Sequence, residues 1–561
     1  VKAQVASPLS IDPSTTNVEG SKNDRGKPQV EFWRYFDPST RGDLSTGERA
    51  EYNRGMQQNA AKSQAKPQAK HNGVKYIAAI DQGTTSTRVF ITDTDGNVVS
   101  QAQFEHRQRM PRQGWVEHDP VEIWRNTRRA IVEALADIDL ADEDISALGI
   151  TNQRETAVIW EKATGRPIYN AIVWQDTRTN PPDSRDQYKY HEQTGLLHNS
   201  YPAGPKWAWI LDHVDGARER AANGELLAGT IDTWLIWNLT GGAREPHNAL
   251  HLTDVTNASR TLLMDLKSLE WSSSLCDDLR VPQEILPQIR PSIGRFGAVR
   301  NRGPLAGVPI TGVLGDQQAA LFGQNCLTQN DAKMTYGTGL FMLLNTGETP
   351  VHSETGMLTT VAYQIEDQPA VYAQEGSVAV GGSLIQWLRD QLGIIKTAAE
   401  TETLAAQVED SGGVTIVPAF SGLFAPRWRP DARGIICGLT RYVDKRHIAR
   451  AALEATCLQT FEVVRAMGGD PSELKVDGGM TDNDLLMQMQ ADILGVDVVR
   501  PENIETTVMG AASAAGMGAK LIDAPLPLGP TTTFESEMAG PERDRLIAQW
   551  EDAVARSYDL A

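Results

Sequence analysis

Four short stretches carry residue types that can handle a phosphate or an alcohol. In "DQGTTSTR", Asp81 to Arg88, Gly83 permits close backbone approach, and Thr84, Thr85 and Ser86 offer hydroxyl and amide donors to phosphate oxygens. Arg88 adds a cation for a terminal phosphate. The stretch lacks the glycine-lysine-hydroxyl ending of a P-loop and opens instead on a carboxylate. Asp81 would repel a phosphate directly, so its presence predicts a hydrated Mg²⁺ between the two. In "GVLGDQQAALFGQ", Asp316 stands where a strand gives way to a helix, either as a plain N-cap or as the general base for an alcohol that Gln317 orients. "TYGTGLF", with Gly337, Thr338 and Gly339, is a second phosphate turn or an ordinary hairpin. "VDGGMTDN" puts paired glycines beside a helix start, which suits a ribose or base lying on the backbone or a simple glycine turn.

The elements around these stretches follow from periodicity. "YIAAIDQGTTSTRVFITDTDGNVVSQAQF" reads as strand, tight turn, strand, Asp-Gly hairpin and strand. "HDPVEIWRNTRRAIVEALADI" reads as a helix with Asp119 as N-cap and Pro120 at its first position. Its face of Ile123, Thr127, Ala130, Ile131, Ala134 and Leu135 should pack on the sheet. "ISALGITNQRET" predicts a strand ending at Ile150 or Thr151, which puts Asn152 to Glu155 at a strand terminus, where open α/β sheets hold ligands. "AKMTYGTGLFMLLNTGETPV" repeats the opening scheme of strand, hydroxyl-glycine turn and strand, so a duplicated lobe is expected.

Composition narrows the function classes. The 561 residues are 40% apolar, enough for a large core in more than one domain. With 53 basic against 72 acidic residues, the net charge of −19 disfavours nucleic acid as a partner. No apolar run is long enough to span a membrane. Cys276, Cys326, Cys437 and Cys457 are widely spaced and read as reduced thiols of a reducing compartment. Residues 1 to 72 carry 11 basic and 8 acidic residues, hence +3, and leave 42 basic against 64 acidic, hence −22, for the remainder. Met56 to Gly73 reads as a disordered linker, and "VEFWRYFD" upstream of it as a packing patch or a docking element.

Taken together and in order, "DQGTTSTR", "GWVEHDP", "GITNQRET", "NAIVWQDTRT", "GTIDTWLIW", "TDVTNASRT", "GDQQAALFGQ", "TYGTGLFML" and "VDGGMT" resemble the FGGY family of carbohydrate kinases, in particular its glycerol-phosphorylating members. That family lies within the actin, hexokinase and heat-shock ATPase superfamily. The resemblance runs from about Tyr76 to near Ala561 and implies an α/β fold of two ribonuclease-H-like lobes enclosing a nucleotide and substrate cleft. The expected division is an N-terminal extension over 1–74, a first lobe over 75–325 and a second over 326–561. The implied reaction is ATP- and Mg²⁺-dependent phosphorylation of glycerol to sn-glycerol 3-phosphate, in a cytoplasmic homo-oligomer, dimer or tetramer.

By this resemblance Asp81 is the metal-side residue, and Thr84, Thr85, Ser86 and Arg88 meet the terminal phosphates. Thr338 and Gly339 form the second phosphate turn, and Gly382, Gln386, Gly479 and Asn483 lie on the nucleoside side. Arg154 and Glu155 match the hydroxyl-binding pair, Tyr201 another hydroxyl contact, and Trp174 and Phe341 the apolar walls, which without their motifs read equally as core. Asp316 is then the base and Gln317 its neighbour on the substrate. Two alternatives stand beside this reading: another FGGY kinase acting on a sugar or polyol, and a non-catalytic nucleotide-binding scaffold or regulator. Arg427 replaces the aromatic residue common in that segment of the family, so packing there is expected to differ. The loop "GRFGAVRNRGPLAGVPI" lacks both the glycine-rich basic segment for fructose bisphosphate inhibition and the phosphorylated histidine of some members, so neither regulation is expected.

Overall fold

The strand-turn-strand pattern of the opening segment folds as its alternation dictates. In the computed structural model, which describes residues 75–137, 144–181, 187–300, 303–468 and 471–561, β1 (Tyr76–Gln82), β2 (Ser86–Asp93) and β3 (Val98–Glu105) form an antiparallel meander. The expectations for the N-terminal tail lie outside the described residues. Helix α1 (Pro120–Asp137) buries the face read from the sequence, with Ile123, Thr127, Ala130 and Ala134 fully enclosed. Asp119 accepts the Val121 amide at 3.0 Å, so the N-terminal signal acts as expected. Burying each large aliphatic chain on this face contributes about 1.5–3 kcal/mol.

Strand β4 (Ile145–Asn152) runs parallel to β1 and ends at Asn152, one or two residues beyond the expected terminus, because it continues the ladder to Gln82. Strand β5 (Ile310–Gly315) lies parallel on its other side, and Gly315 stands level with Asn152. The sheet order is therefore β5-β4-β1-β2-β3. Three parallel strands stop at one edge, and the residues that follow them emerge side by side. Helix α2 (Asp316–Gly323) starts directly from β5.

A second sheet repeats the plan. Strands β6 (Ala332–Tyr336) and β7 (Leu340–Gly347) form the expected hairpin around Gly337 to Gly339. Strands β8 (Leu358–Gln364) and β9 (Ala370–Val378) extend the antiparallel side. Helix α3 (Gly382–Asp390) and the long α4 (Lys445–Met467) intervene before β10 (Glu473–Asp477), which pairs parallel to β6. Helix α5 (Asp484–Leu494) leads to β11 (Asp497–Pro501), and α6 (Thr506–Gly518) to the edge strand β12 (Thr531–Phe534). The order is β8-β9-β7-β6-β10-β11-β12. Strands β9-β7-β6-β10-β11 match β3-β2-β1-β4-β5 in sense and sequence, so the duplication inferred from the two turns is present in the topology.

Helix α6, although late in the chain, packs on the first sheet. Its alanine and glycine content lets the backbones nearly touch: a methyl group added at Gly149 would sit 2.2 Å from the Ala511 carbonyl oxygen, and one at Gly312 would sit 2.4 Å from the Ala515 nitrogen. Thr311 Oγ1 donates to the Ala515 carbonyl at 2.8 Å across the same seam. Arg427 seats on Glu462 at 3.1 Å through Nε and on the Tyr558 hydroxyl at 3.0 Å, a polar anchor in place of an aromatic one. All four cysteines are free, and no helix among the described residues is long and apolar enough to cross a membrane.

Candidate active site

The β1–β2 turn, the loop after β4 and the start of α2 share one sheet edge, and each delivers a charged or polar side chain there. Arg154 is buried and lies 3.1 Å through Nε from Asp316 Oδ1. Its two terminal nitrogens grip Glu375 of β9, NH2 at 3.0 Å, and NH1 also donates to Gln318 at 3.2 Å. Arg260 donates through Nε to Glu155 at 2.6 Å and through NH2 to Glu375 at 3.0 Å. Two guanidinium groups and two carboxylates thus interlock away from water, tying the first sheet's edge to β9 of the second. Burial raises the Glu375 pKa, but Arg154 and Arg260 more than offset this and hold the carboxyl below its usual range. Glu155 takes a left-handed φ of 59°, rare for a residue with a side chain, and its ion pair with Arg260 fixes the carboxylate in that conformation.

Asp316 is the first residue of α2, with Gly315 at the N-cap position, so the plain N-cap reading does not hold. Its carboxylate accepts the Gln317 amide at 2.7 Å and keeps 26% of its side chain exposed toward the cleft. Burial pushes its pKa up to about 6, with Arg154 opposing the shift. A carboxylate tuned toward neutrality and adjacent to a guanidinium can accept a proton from a bound hydroxyl.

Trp174, Tyr201 and Phe341 come together from three separate segments. The Trp174 ring lies 6.0 Å from Tyr201 and 5.8 Å from Phe341, centroid to centroid and edge to face. Arg260 stands 5.4 Å over the Tyr201 ring, so the aromatic wall adjoins the charged network. Trp174 Nε1 also donates to Thr84 Oγ1 at 3.0 Å, joining this wall to the first hydroxyl turn.

That turn is held from behind. Gln108 donates to the Thr84 carbonyl at 2.7 Å, and its own oxygen accepts from His118 Nε2 at 2.7 Å. Burial drives the His118 pKa down to about 3, so the ring is neutral and Nε2 carries its proton. The "EHDP" segment thereby acquires a role that its residue types alone did not reveal. A methyl group at Gly83 would meet only the Ser86 carbonyl, at 3.5 Å, so the space over the turn is open. Ser86 is buried and its hydroxyl accepts from Gln103 at 3.0 Å, whereas Thr85 is exposed. Arg88 donates through Nε to Asp81 at 3.0 Å and bonds Glu505 as well, so it stands between two carboxylates.

The second turn has the same open glycine: a methyl group at Gly337 would meet only the Gly339 carbonyl at 3.5 Å. The carbonyls of Gly337 and Thr338 accept the amides of Gly382 at 2.8 Å and of Gly381 at 3.0 Å, docking the turn on the N-terminus of α3, which carries the exposed Gln386. Gly479 is exposed with nothing near its missing side chain, two residues past the end of β10. Asn483 caps α5 through Oδ1 to the Leu486 amide at 2.8 Å, a structural duty beside the nucleoside contact expected of it.

Three residues of this site were not singled out from the sequence. Glu375 sits in the strand "AVYAQEGSV" outside any motif read from the sequence, and Arg260 in "TNASRT" was quoted without a role. Lys333, one of the apolar-flanked residues of "AKMTY", reaches Gln317 Oε1 at 2.5 Å. A lone charge inside a strand otherwise uncharged was the available signal in the first and third cases.

Comparison with known proteins matches the same span. Residues 76–323 match the model of the FGGY family of carbohydrate kinases, N-terminal domain, and residues 332–519 the model of its C-terminal domain. A glycerol kinase of Corynebacterium kroppenstedtii is 59% identical over 86% of this chain and 98% of its own length. One of Nocardia farcinica is 56% identical over 86% and 99%. Among solved structures, Plasmodium falciparum glycerol kinase with ADP superposes with a TM-score of 0.78 at 36% identity, covering 86% of this chain and 98% of that one.

Proposed function

Since the chain belongs to the FGGY family of carbohydrate kinases, we infer that it transfers the γ-phosphoryl group of ATP to glycerol, releasing ADP and sn-glycerol 3-phosphate. The observation that carries the chemical reading is Asp316: a carboxylate about a quarter exposed, with its pKa pushed up to about 6, beside Arg154 and Gln317. A terminal hydroxyl of glycerol attacks the γ-phosphorus, its proton passes to Asp316, and the bond from that phosphorus to the β-phosphate oxygen breaks. Such transfer depends on alignment and charge compensation, and the residues here supply both.

Arg154 and Glu155 offer one donor and one acceptor to the triol, Tyr201 a further hydroxyl, and Trp174 and Phe341 cover its carbon edge. Thr84, Thr85, Ser86, Arg88, Thr338 and Gly339 receive the phosphates, with Gly382, Gln386, Gly479 and Asn483 on the nucleoside side. Support comes from the open space over Gly83 and Gly337 and from the link through Trp174 between the first turn and Phe341. Mg²⁺ keeps several waters and needs only one or two carboxylates beside the substrate phosphates, so Asp81 at the end of β1 fits it. When bound, the ion would neutralise charge on the phosphates.

Residues 75–325 and 326–561 are taken as the two lobes, supported by the two matching sheets, with 1–74 as an extension. Cytoplasmic location and a homo-oligomeric state belong to this proposal; the four free thiols agree with the former. The substrate is tested by comparing kcat/KM for glycerol, a pentulose and gluconate with purified protein, with and without magnesium. Glycerol is expected to lead by orders of magnitude and to require the metal. A higher value for either sugar substrate would overturn the choice.

A further inference from the structure

Lys333 lies on β6 with none of its surface exposed, and its ammonium faces the catalytic edge of the other sheet. Nζ donates to Gln317 Oε1 at 2.5 Å and to Thr335 Oγ1 at 2.8 Å, with the Phe341 carbonyl at 3.5 Å. These three neutral oxygens are its contacts; among the described residues no carboxylate lies within ion-pair distance of it. A cation buried without a direct counter-charge is costly, so its placement calls for a compensating role.

The contact with Gln317 supplies one. An ammonium can only donate, so the amide oxygen of Gln317 must face Lys333 and its NH2 group must face away. Gln317 follows Asp316 in the first turn of α2, and its Nε2 donates to nothing among the described residues. The pair of neighbouring side chains therefore presents one acceptor, the Asp316 carboxylate, and one committed donor, the Gln317 amide.

We propose that Lys333 is a positioning residue for the kinase reaction: by holding Gln317 Oε1 it fixes the amide as a hydrogen-bond donor to a hydroxyl of the acceptor alcohol, and so sets the polarity that selects glycerol. The proposal rests on the glycerol kinase reading above. The ionised and ionisable groups around Lys333 are Asp316, Arg154, Asp477 and Glu375, and burial brings its own pKa down to about 8. Lys333 in turn helps keep Asp316 ionised against the effect of burial.

The test uses the full chain with Lys333→Met, Gln317→Met and the double variant. Measured are kcat and KM for glycerol, propane-1,2-diol and propane-1,3-diol, KM for ATP, ADP binding and Tm. A pocket donor that pairs a substrate hydroxyl discriminates strongly against analogues lacking it, so Lys333→Met should lower kcat/KM for glycerol by about 10–100-fold. At least one diol should fall much less, ADP affinity should persist, and the acid limb of the rate profile should move upward. Gln317→Met should show the same loss of discrimination, and the double variant should resemble the singles rather than multiply them. Unchanged discrimination in a folded, ADP-binding Lys333→Met protein would overturn the proposal, as would multiplicative effects in the double variant. If Lys333→Met does not fold, retained glycerol discrimination in Gln317→Met alone would overturn it. Failure of the unaltered protein to phosphorylate glycerol would refute the underlying kinase reading instead.

Discussion

Glu375→Gln tests whether the buried network holds the site together. Glu375 is fully buried and accepts from Arg154 and Arg260, each of which also meets a second carboxylate, Asp316 or Glu155. Removing its charge leaves two guanidinium groups sharing one less counter-ion in a dry region. Breaking a buried pair from one side costs about 3–5 kcal/mol, and since glutamine keeps a carbonyl acceptor the lower end applies, about 3 kcal/mol. At about 2–4 °C per kcal/mol for domains of 150–250 residues, Tm should drop by about 6–12 °C. The perturbation should also reach function, because Arg154 loses the anchor that aims its Nε at Asp316. Scanning calorimetry with urea titration measures the first effect and steady-state kinetics the second, where KM for glycerol should rise more than KM for ATP. A Tm within about 2 °C of the unaltered protein, together with unchanged glycerol KM, would refute the claim that this network positions the substrate site.

Other outcomes follow from the same geometry. Asp316 must be ionised to take a proton, so kcat/KM should fall as pH drops through about 6 and approach a tenth of its plateau about one unit lower; a flat profile there would refute the assignment. Gly83→Ala should leave Tm nearly unchanged and raise KM for ATP, since the added methyl enters open space over the turn. Gly149→Ala should do the reverse, costing about 1–3 kcal/mol by overpacking against Ala511 while leaving KM alone; equal effects at both glycines would contradict the packing description. Trp174→Phe keeps the wall but loses the bond to Thr84, so about 1 kcal/mol, roughly fivefold in kcat/KM, should appear, read as a change toward both substrates.

The sequence made the strand ends legible and left the network between them hidden. Strands β1, β4 and β5 followed from apolar runs interrupted by turn chemistry, so Asp81, Arg154 and Asp316 could each be placed near a strand end, but that the three share one edge came only with the sheet order. Glu375 could not be found that way, because its partner Arg154 is 221 residues distant and neither local pattern depends on the other. Helix α6 packing back onto the first sheet was equally hidden: its Ala-Gly composition shows a close contact but not with which surface. The Asp316 case shows the limit of local rules. Acidic residues at helix starts are ordinarily caps, and only the backbone position one residue past the cap, with the carboxylate facing Arg154, separates the two roles.

The most direct measurement is Asp316→Asn, assayed for glycerol 3-phosphate formation by ³¹P NMR alongside ADP binding. Substitution removes the base without removing the amide-binding geometry, so ADP affinity should persist while turnover falls by about 10²–10⁴-fold. Near-normal conversion of ATP and glycerol to ADP and glycerol 3-phosphate by the variant would contradict the account.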